Sequence, residues 1–164
     1  MTATQLAKQL VSTCSKHGIT VSTAESCTGG LIAKLITDIP GSSAVLAGGC
    51  VSYTNEVKMQ VLGVDPAIIQ HHTEVSHACA AAMAEGACRL YRTTLAVSTT
   101  GFAGPGGGTE EDPVGTVYLA VHSPAKTYTE RFSAPANASR RGVRNAAAMR
   151  ALTLLLELAE SLEG

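Results

Sequence analysis

The chain has no tryptophan, and its 164 residues include only two phenylalanines and four tyrosines. The core must therefore be built from Ala, Val, Leu and Ile, and a nucleic-acid surface of stacked aromatics is disfavoured. An excess of charge is also missing. Twelve Lys and Arg stand against thirteen Asp and Glu, and only Arg140, Arg141, Arg144 and Arg150 cluster. That balance argues against a protein that coats phosphate backbones. No apolar run reaches the roughly 18 residues of a membrane span, so a soluble protein with no membrane partner is expected. Gln5, Lys8 and Gln9 interrupt the first 15 residues, so no signal-peptide core is read there. The five cysteines (Cys14, Cys27, Cys50, Cys79 and Cys88) are odd in number, irregularly spaced and without a Cys-x-x-Cys pair. Neither a disulfide framework nor a zinc site is expected, and a reducing cytoplasm is the simplest compartment. The histidines form no metal constellation: His71 and His72 are adjacent, and His77 lacks an i+4 partner. No metal or cofactor is therefore expected.

Apolar residues are plentiful at 45%, against 15% charged, which is the balance of a folded domain. Helical periodicity runs from Gln5 to Lys16, with Leu6, Leu10, Val11 and Cys14 on one face and Gly18 as the stop. A short strand follows at Ile19–Thr23, then a helix over Thr28–Ile36 and an apolar, glycine-rich strand over Val45–Tyr53. Asn55 is read as the cap of a helix through Lys58 to Leu62. Asp65-Pro66 opens another helix, and Ser76 caps an Ala-rich one reaching about Arg92. Leu95–Thr99 is a compact buried strand, Gly101–Pro113 a loop, and Val114–His122 with Thr127–Phe132 a strand pair. A helix from Ser139 to about Leu162 closes the chain. The expectation is a single α/β domain over residues 1–164, a mixed sheet with helices on both faces. The last helix is apolar on more than one side, from Ala146 to Leu162, and coverage by a second subunit is its expected explanation. A homodimer or larger homo-oligomer follows from that.

Four stretches carry candidate chemistry. Thr23-Ala24-Glu25-Ser26-Cys27-Thr28-Gly29-Gly30 lies at a strand-to-helix junction, where free N–H groups favour an anion. Ser26 there is either a nucleophile or a cap, and Cys27 competes for the first role. Ser52-Tyr53-Thr54-Asn55-Glu56-Val57-Lys58 places a lysine in the first turns of a helix. If buried, Lys58 can serve as general base to a serine, with Tyr53 as relay; otherwise it is a solvated surface residue. Thr100-Gly101-Phe102-Ala103-Gly104-Pro105-Gly106-Gly107-Gly108 follows a buried strand, and its N–H groups can converge on a phosphate. No Gly-Lys-Ser/Thr ends this stretch, so it is not a Walker A loop. Arg140 and Arg144 share one helix face and suit a phosphate or carboxylate.

The first three of these stretches, together with Pro40-Gly41-Ser42-Ser43, Leu62-Gly63-Val64 and Pro113-Val114-Gly115-Thr116-Val117, make the chain resemble the C-terminal domain of the competence/damage-inducible CinA family. Stand-alone members of that family are nicotinamide-nucleotide amidohydrolases. The resemblance implies hydrolysis of the carboxamide of nicotinamide mononucleotide to nicotinic acid mononucleotide and ammonia, a step of pyridine-nucleotide recycling. It implies Ser26 as nucleophile, with Lys58 and Tyr53 moving protons. It implies a substrate site drawn from Glu25, Thr28, Gly29, Thr100, Gly101, Gly104, Gly106 and Gly107, with Arg140 or Arg144 as the phosphate ligand. Thr73-Glu74 stands where the family has Gly-Ala, and the expected consequence is an altered turn, with the chemistry untouched. The competing reading is a non-catalytic nucleotide-binding regulatory module tied to competence or DNA damage.

Overall fold

A computed structural model describes residues 1–162. Six helices and five strands follow in the order α1 (Ala3–His17), β1 (Val21–Glu25), α2 (Leu31–Thr37), β2 (Leu46–Val51), α3 (Asn55–Leu62), α4 (Pro66–His72), α5 (His77–Tyr91), β3 (Leu95–Gly101), β4 (Thr116–His122), β5 (Thr127–Ser133) and α6 (Arg140–Ser161). One 3-10 turn, Ser42–Ala44, separates α2 from β2. The expected order is recovered, and the helix ends follow local chemistry. Thr2 and Gln5 form a reciprocal capping box on α1, and Gly18 ends it in the left-handed region at φ 65°. Asp65 and Ser76 cap α4 and α5 as expected. Thr54, not Asn55, caps α3, its hydroxyl accepting from Val57 N–H.

The sheet runs β2-β1-β3-β4-β5, with β1 parallel to β2 and β3, and β4 antiparallel to both its neighbours. It is therefore mixed. β1 is buried throughout and β3 up to Thr100, as central strands covered on both faces must be. On one face α1, α2 and α6 build a large apolar cluster with Val21, Val97, Val117 and Leu119. On the other, α5, with Leu62 of α3, packs Cys79, Met83 and several alanines against Ala24, Ala96, Tyr118 and Ala120. Gly86 brings these helices together: a Cβ there would stand 2.1 Å from the Leu62 carbonyl oxygen.

The last helix departs from expectation. Leu152 and Leu155 are fully buried, and Leu154, Leu156 and Leu158 are nearly so, within the single chain. α1 and α2 flank α6, and β3 and β4 lie beneath it. Its apolar sides are covered by its own domain, so these leucines supply no argument for a second subunit.

The chain goes from β1 through α2 to β2, and returns through α3, α4 and α5 to β3 on the other side of β1. The strand order therefore reverses beside β1. In such sheets the crevice at the carboxyl ends of the strands on either side of that point is where ligands bind. Ser26 follows β1, Tyr53 to Lys58 follow β2, and Thr100 to Gly106 lie at the end of β3.

Candidate active site

A cleft of about 400 Å³ opens at that edge. Its wall includes Ser26, Cys27, Tyr53, Lys58, Thr100 and Arg140. Ser26 N–H donates to the Thr99 carbonyl at 3.0 Å, and Ser52 N–H donates to the Glu25 carbonyl at 2.8 Å. The start of the β1–α2 connection is thus tied to both neighbouring strands.

Lys58 is 1% exposed and Ser26 is 7% exposed. The Lys58 Nζ donates to Ser26 Oγ at 3.1 Å and to the Tyr53 carbonyl at 3.2 Å. Burial lowers the Lys58 pKa from its ordinary value of 10.5, because the charged form loses water. The negative charges of Cys79, Glu74 and Cys27 would oppose that shift. Both thiols, however, are pushed up to about 11 by burial and carry no charge near neutrality. Glu74 is then the counter-charge that acts on Lys58. The same burial keeps Cys27 a thiol, so Ser26 is the better-placed nucleophile.

The junction works differently from its sequence reading. Gly29 and Gly30 adopt φ 61° and 99°, so α2 begins at Leu31 and not at Thr28. Glu25 reaches forward to fill the helix start. Its Oε1 accepts from Thr28 Oγ1 at 2.7 Å and Ile32 N–H at 2.9 Å, and its Oε2 accepts from Ala33 N–H at 3.1 Å. The positive end of α2 already holds a carboxylate, and Ser26 is free of capping duty. Glu25 and Thr28 are fully buried in this network, which Thr99 Oγ1 joins at 2.8 Å from Thr28 Oγ1. Glu25, Thr28 and Gly29 therefore lie outside the cleft wall.

The two arginines also separate. Arg140 lines the cleft, donating to the Gly104 carbonyl and, at 3.1 Å, to the Tyr53 hydroxyl. Arg144 faces the β1–α2 turn instead, donating to the Cys27 and Thr28 carbonyls at 3.1 and 3.2 Å. Tyr53 itself divides its parts: the backbone carbonyl meets Lys58, while the 56% exposed side chain stands at the rim with Arg140. Thr100 lines the cleft with Gly101, Gly104 and Gly106, and its hydroxyl donates to the Glu74 carbonyl at 2.7 Å. Gly107 lies off the wall, against Phe102.

Sequence reasoning missed Thr54, Asn55, Glu74, Val75, Phe102 and Ala103 as wall residues. Thr73 sits at φ 66°, in the left-handed region that a glycine enters freely, and Glu74 beside it reaches the cleft wall. The substitution itself was the available signal. Among the described residues no three of His, Cys, Asp or Glu stand together as metal ligands, and no helix is long and apolar enough to cross a membrane.

The family profile of the CinA C-terminal domain matches residues 3–159. A CinA-like protein of Myxococcus xanthus is 48% identical over 147 residues, which are 89% of this chain and 34% of that relative. One from Shewanella denitrificans is 44% identical over 152 residues, 93% of this chain and 36% of its own length. The chain thus spans about a third of the curated relatives it matches. The competence/damage inducible protein CihA from Agrobacterium tumefaciens superposes with a TM-score of 0.92 at 41% identity, covering 95% of this chain and 94% of that one. The competence damage-inducible protein A of Klebsiella pneumoniae gives 0.91 at 30% identity, covering 96% of each. With its Ser26–Lys58 pair at the carboxyl edge of a mixed sheet, this chain belongs to the CinA C-terminal domain family.

Proposed function

We propose that this domain is an amidohydrolase that converts the carboxamide of nicotinamide mononucleotide to nicotinic acid mononucleotide and ammonia. The observation that carries the reading is the 3.1 Å contact between a nearly buried serine hydroxyl and a buried lysine amine at the base of an open cleft. An amide is a poor electrophile, so its hydrolysis benefits from an activated oxygen nucleophile. Neutral Lys58 takes the Ser26 hydroxyl proton as Oγ bonds to the carboxamide carbon. The tetrahedral intermediate collapses by breaking the C–N bond, and the lysine proton leaves with the departing nitrogen as ammonia. Water then attacks the Ser26 ester and gives a proton to Lys58; the C–Oγ bond breaks, Lys58 returns that proton to Ser26 Oγ, and the product acid ionises to the carboxylate. α2 cannot hold the oxyanion, since Glu25 occupies its start; the ammonium formed on Lys58 is the positive charge at hand. Arg140, a cation on the cleft wall, would take the phosphate.

The test is incubation with nicotinamide mononucleotide, with and without a chelator, following ammonia and nicotinic acid mononucleotide together. The expected result is equal product in both arms and none from Ser26→Ala. Binding without turnover would instead favour a nucleotide-sensing module. Product from Ser26→Ala at the wild-type rate would remove the serine from the mechanism.

A further inference from the structure

We infer that Glu74 is a specificity-determining residue of the cleft, selecting a substrate whose reacting ring carries a positive charge. The inference rests on the amidase reading for the identity of the ring and on the charge inventory of the wall for the rest. Among the described residues lining the cleft, Lys58 and Arg140 are the cations and Glu74 is the one carboxylate. A ligand bearing only an anion would need only the two cations. A zwitterion, with an anionic group at one end and a cationic ring at the other, uses all three.

Residue 74 is held in place by its main chain. Its carbonyl accepts from Thr100 Oγ1 at 2.7 Å on one side. On the other, Thr73 Oγ1 accepts from Val75 N–H at 3.3 Å, and Ser76 Oγ donates to the Thr73 carbonyl at 2.9 Å while capping α5. Among the described residues no side chain hydrogen-bonds to or ion-pairs with the Glu74 carboxylate, so it is not committed to the protein's own structure. It also works against catalysis when the cleft is empty. A negative charge near Lys58 favours the ammonium, which is the wrong form for a base. A cationic ring in the same cleft offsets that charge, leaving the amine as it would be without Glu74. The carboxylate thus becomes useful only with a cationic ligand present.

Binding measurements separate the contributions. Nicotinamide mononucleotide has a cationic pyridinium, and its dihydro form has a neutral ring with the same ribose, phosphate and carboxamide. Calorimetry on Ser26→Ala protein, with and without Glu74→Gln, measures affinity with no turnover. The expected result is about a tenfold weakening of the cationic ligand by Glu74→Gln, with the dihydro form changed less than about twofold. Equal weakening of both ligands, no change in either, or no binding of either ligand to the Glu74 protein would overturn the inference. A fall in melting temperature together with loss of both ligands would make Glu74 a support for α5 and overturn it equally. Ammonia release by wild-type protein is measured separately. Charge selectivity without release would sink the amidase and leave the role of Glu74 standing; release without selectivity would do the reverse.

Discussion

The two faces of the sheet are built from different material. The face under α1, α2 and α6 is continuous Leu, Ile, Val and Ala, with both Leu152 and Leu155 fully buried. The face under α5 is thinner and rich in alanine, with Leu62, Val64, Val75, Cys79, Met83 and Tyr118 among the alanines, and next to it the domain buries the Lys58 amine. Burying apolar area is favourable, whereas burying an amine is costly unless it loses its proton or finds partners. One face therefore holds the fold and the other spends stability on a reactive group. Opposite substitutions should separate the two roles.

The largest effect expected is from Lys58→Met. Methionine keeps the volume and removes the buried amine, so the melting temperature should stay level or rise. Ammonia release should fall about a thousandfold, the scale of a lost general base. A variant that unfolds would show instead that the contacts to Ser26 Oγ and the Tyr53 carbonyl hold α3 in place. Leu155→Ala is the counterpart on the other face. It should lower unfolding free energy by about 2–5 kcal/mol, measured in urea, because a cavity remains where the leucine was. Turnover per folded molecule should not change, since Leu155 is remote from the cleft wall.

Helix caps such as Ser76 and Asp65-Pro66 were legible because the cap and the helix it starts are neighbours in sequence. The Ser26–Lys58 pairing was expected from the family resemblance, since the residues alone left Lys58 open between base and surface. Lys58 is buried on α3, the helix that Gly86 of α5 lets approach closely at Leu62, a contact that spacing does not reveal. Glu25 was misread for a related reason. It caps α2 from a strand, seven and eight residues before the N–H groups it binds, across two glycines in the left-handed region. The same limit applies to α6: its apolar circumference was plain in the sequence, but the helices that cover it were not.

Arg140 and Arg144 sharpen the comparison within one helix turn, since they share residue type and helix but serve different regions. Arg140→Ala should raise KM for a phosphate-bearing substrate about tenfold or more, the value of a charge-assisted hydrogen bond, with a smaller change in kcat. Arg144→Ala should leave KM nearly alone and lower the melting temperature, because the Cys27 and Thr28 carbonyls lose their donors. Reversed outcomes would place the phosphate at the β1–α2 turn.

The smallest expected effect concerns pH. In the proposed mechanism Lys58 must lose its proton to accept one from Ser26, so kcat/KM should rise with pH through the Lys58 pKa, which burial sets below 10.5. The groups acting on that amine are Glu74 and the two thiols Cys27 and Cys79. Because the thiols titrate only near about 11, they stay neutral while Lys58 ionises at any pH well below that. Glu74→Gln removes the remaining negative charge, the ammonium loses its stabilisation, and the rising limb should move to lower pH. A Lys58 pKa lowered by folding also carries a sign for stability. The unfolded lysine binds a proton more readily than the folded one, so unfolding free energy should increase as pH rises from the folded pKa towards 10.5. Lys58→Met should flatten that rise, whereas Leu155→Ala should shift the whole curve down without changing its slope, and pH-dependent urea titrations of the two variants would tell these patterns apart.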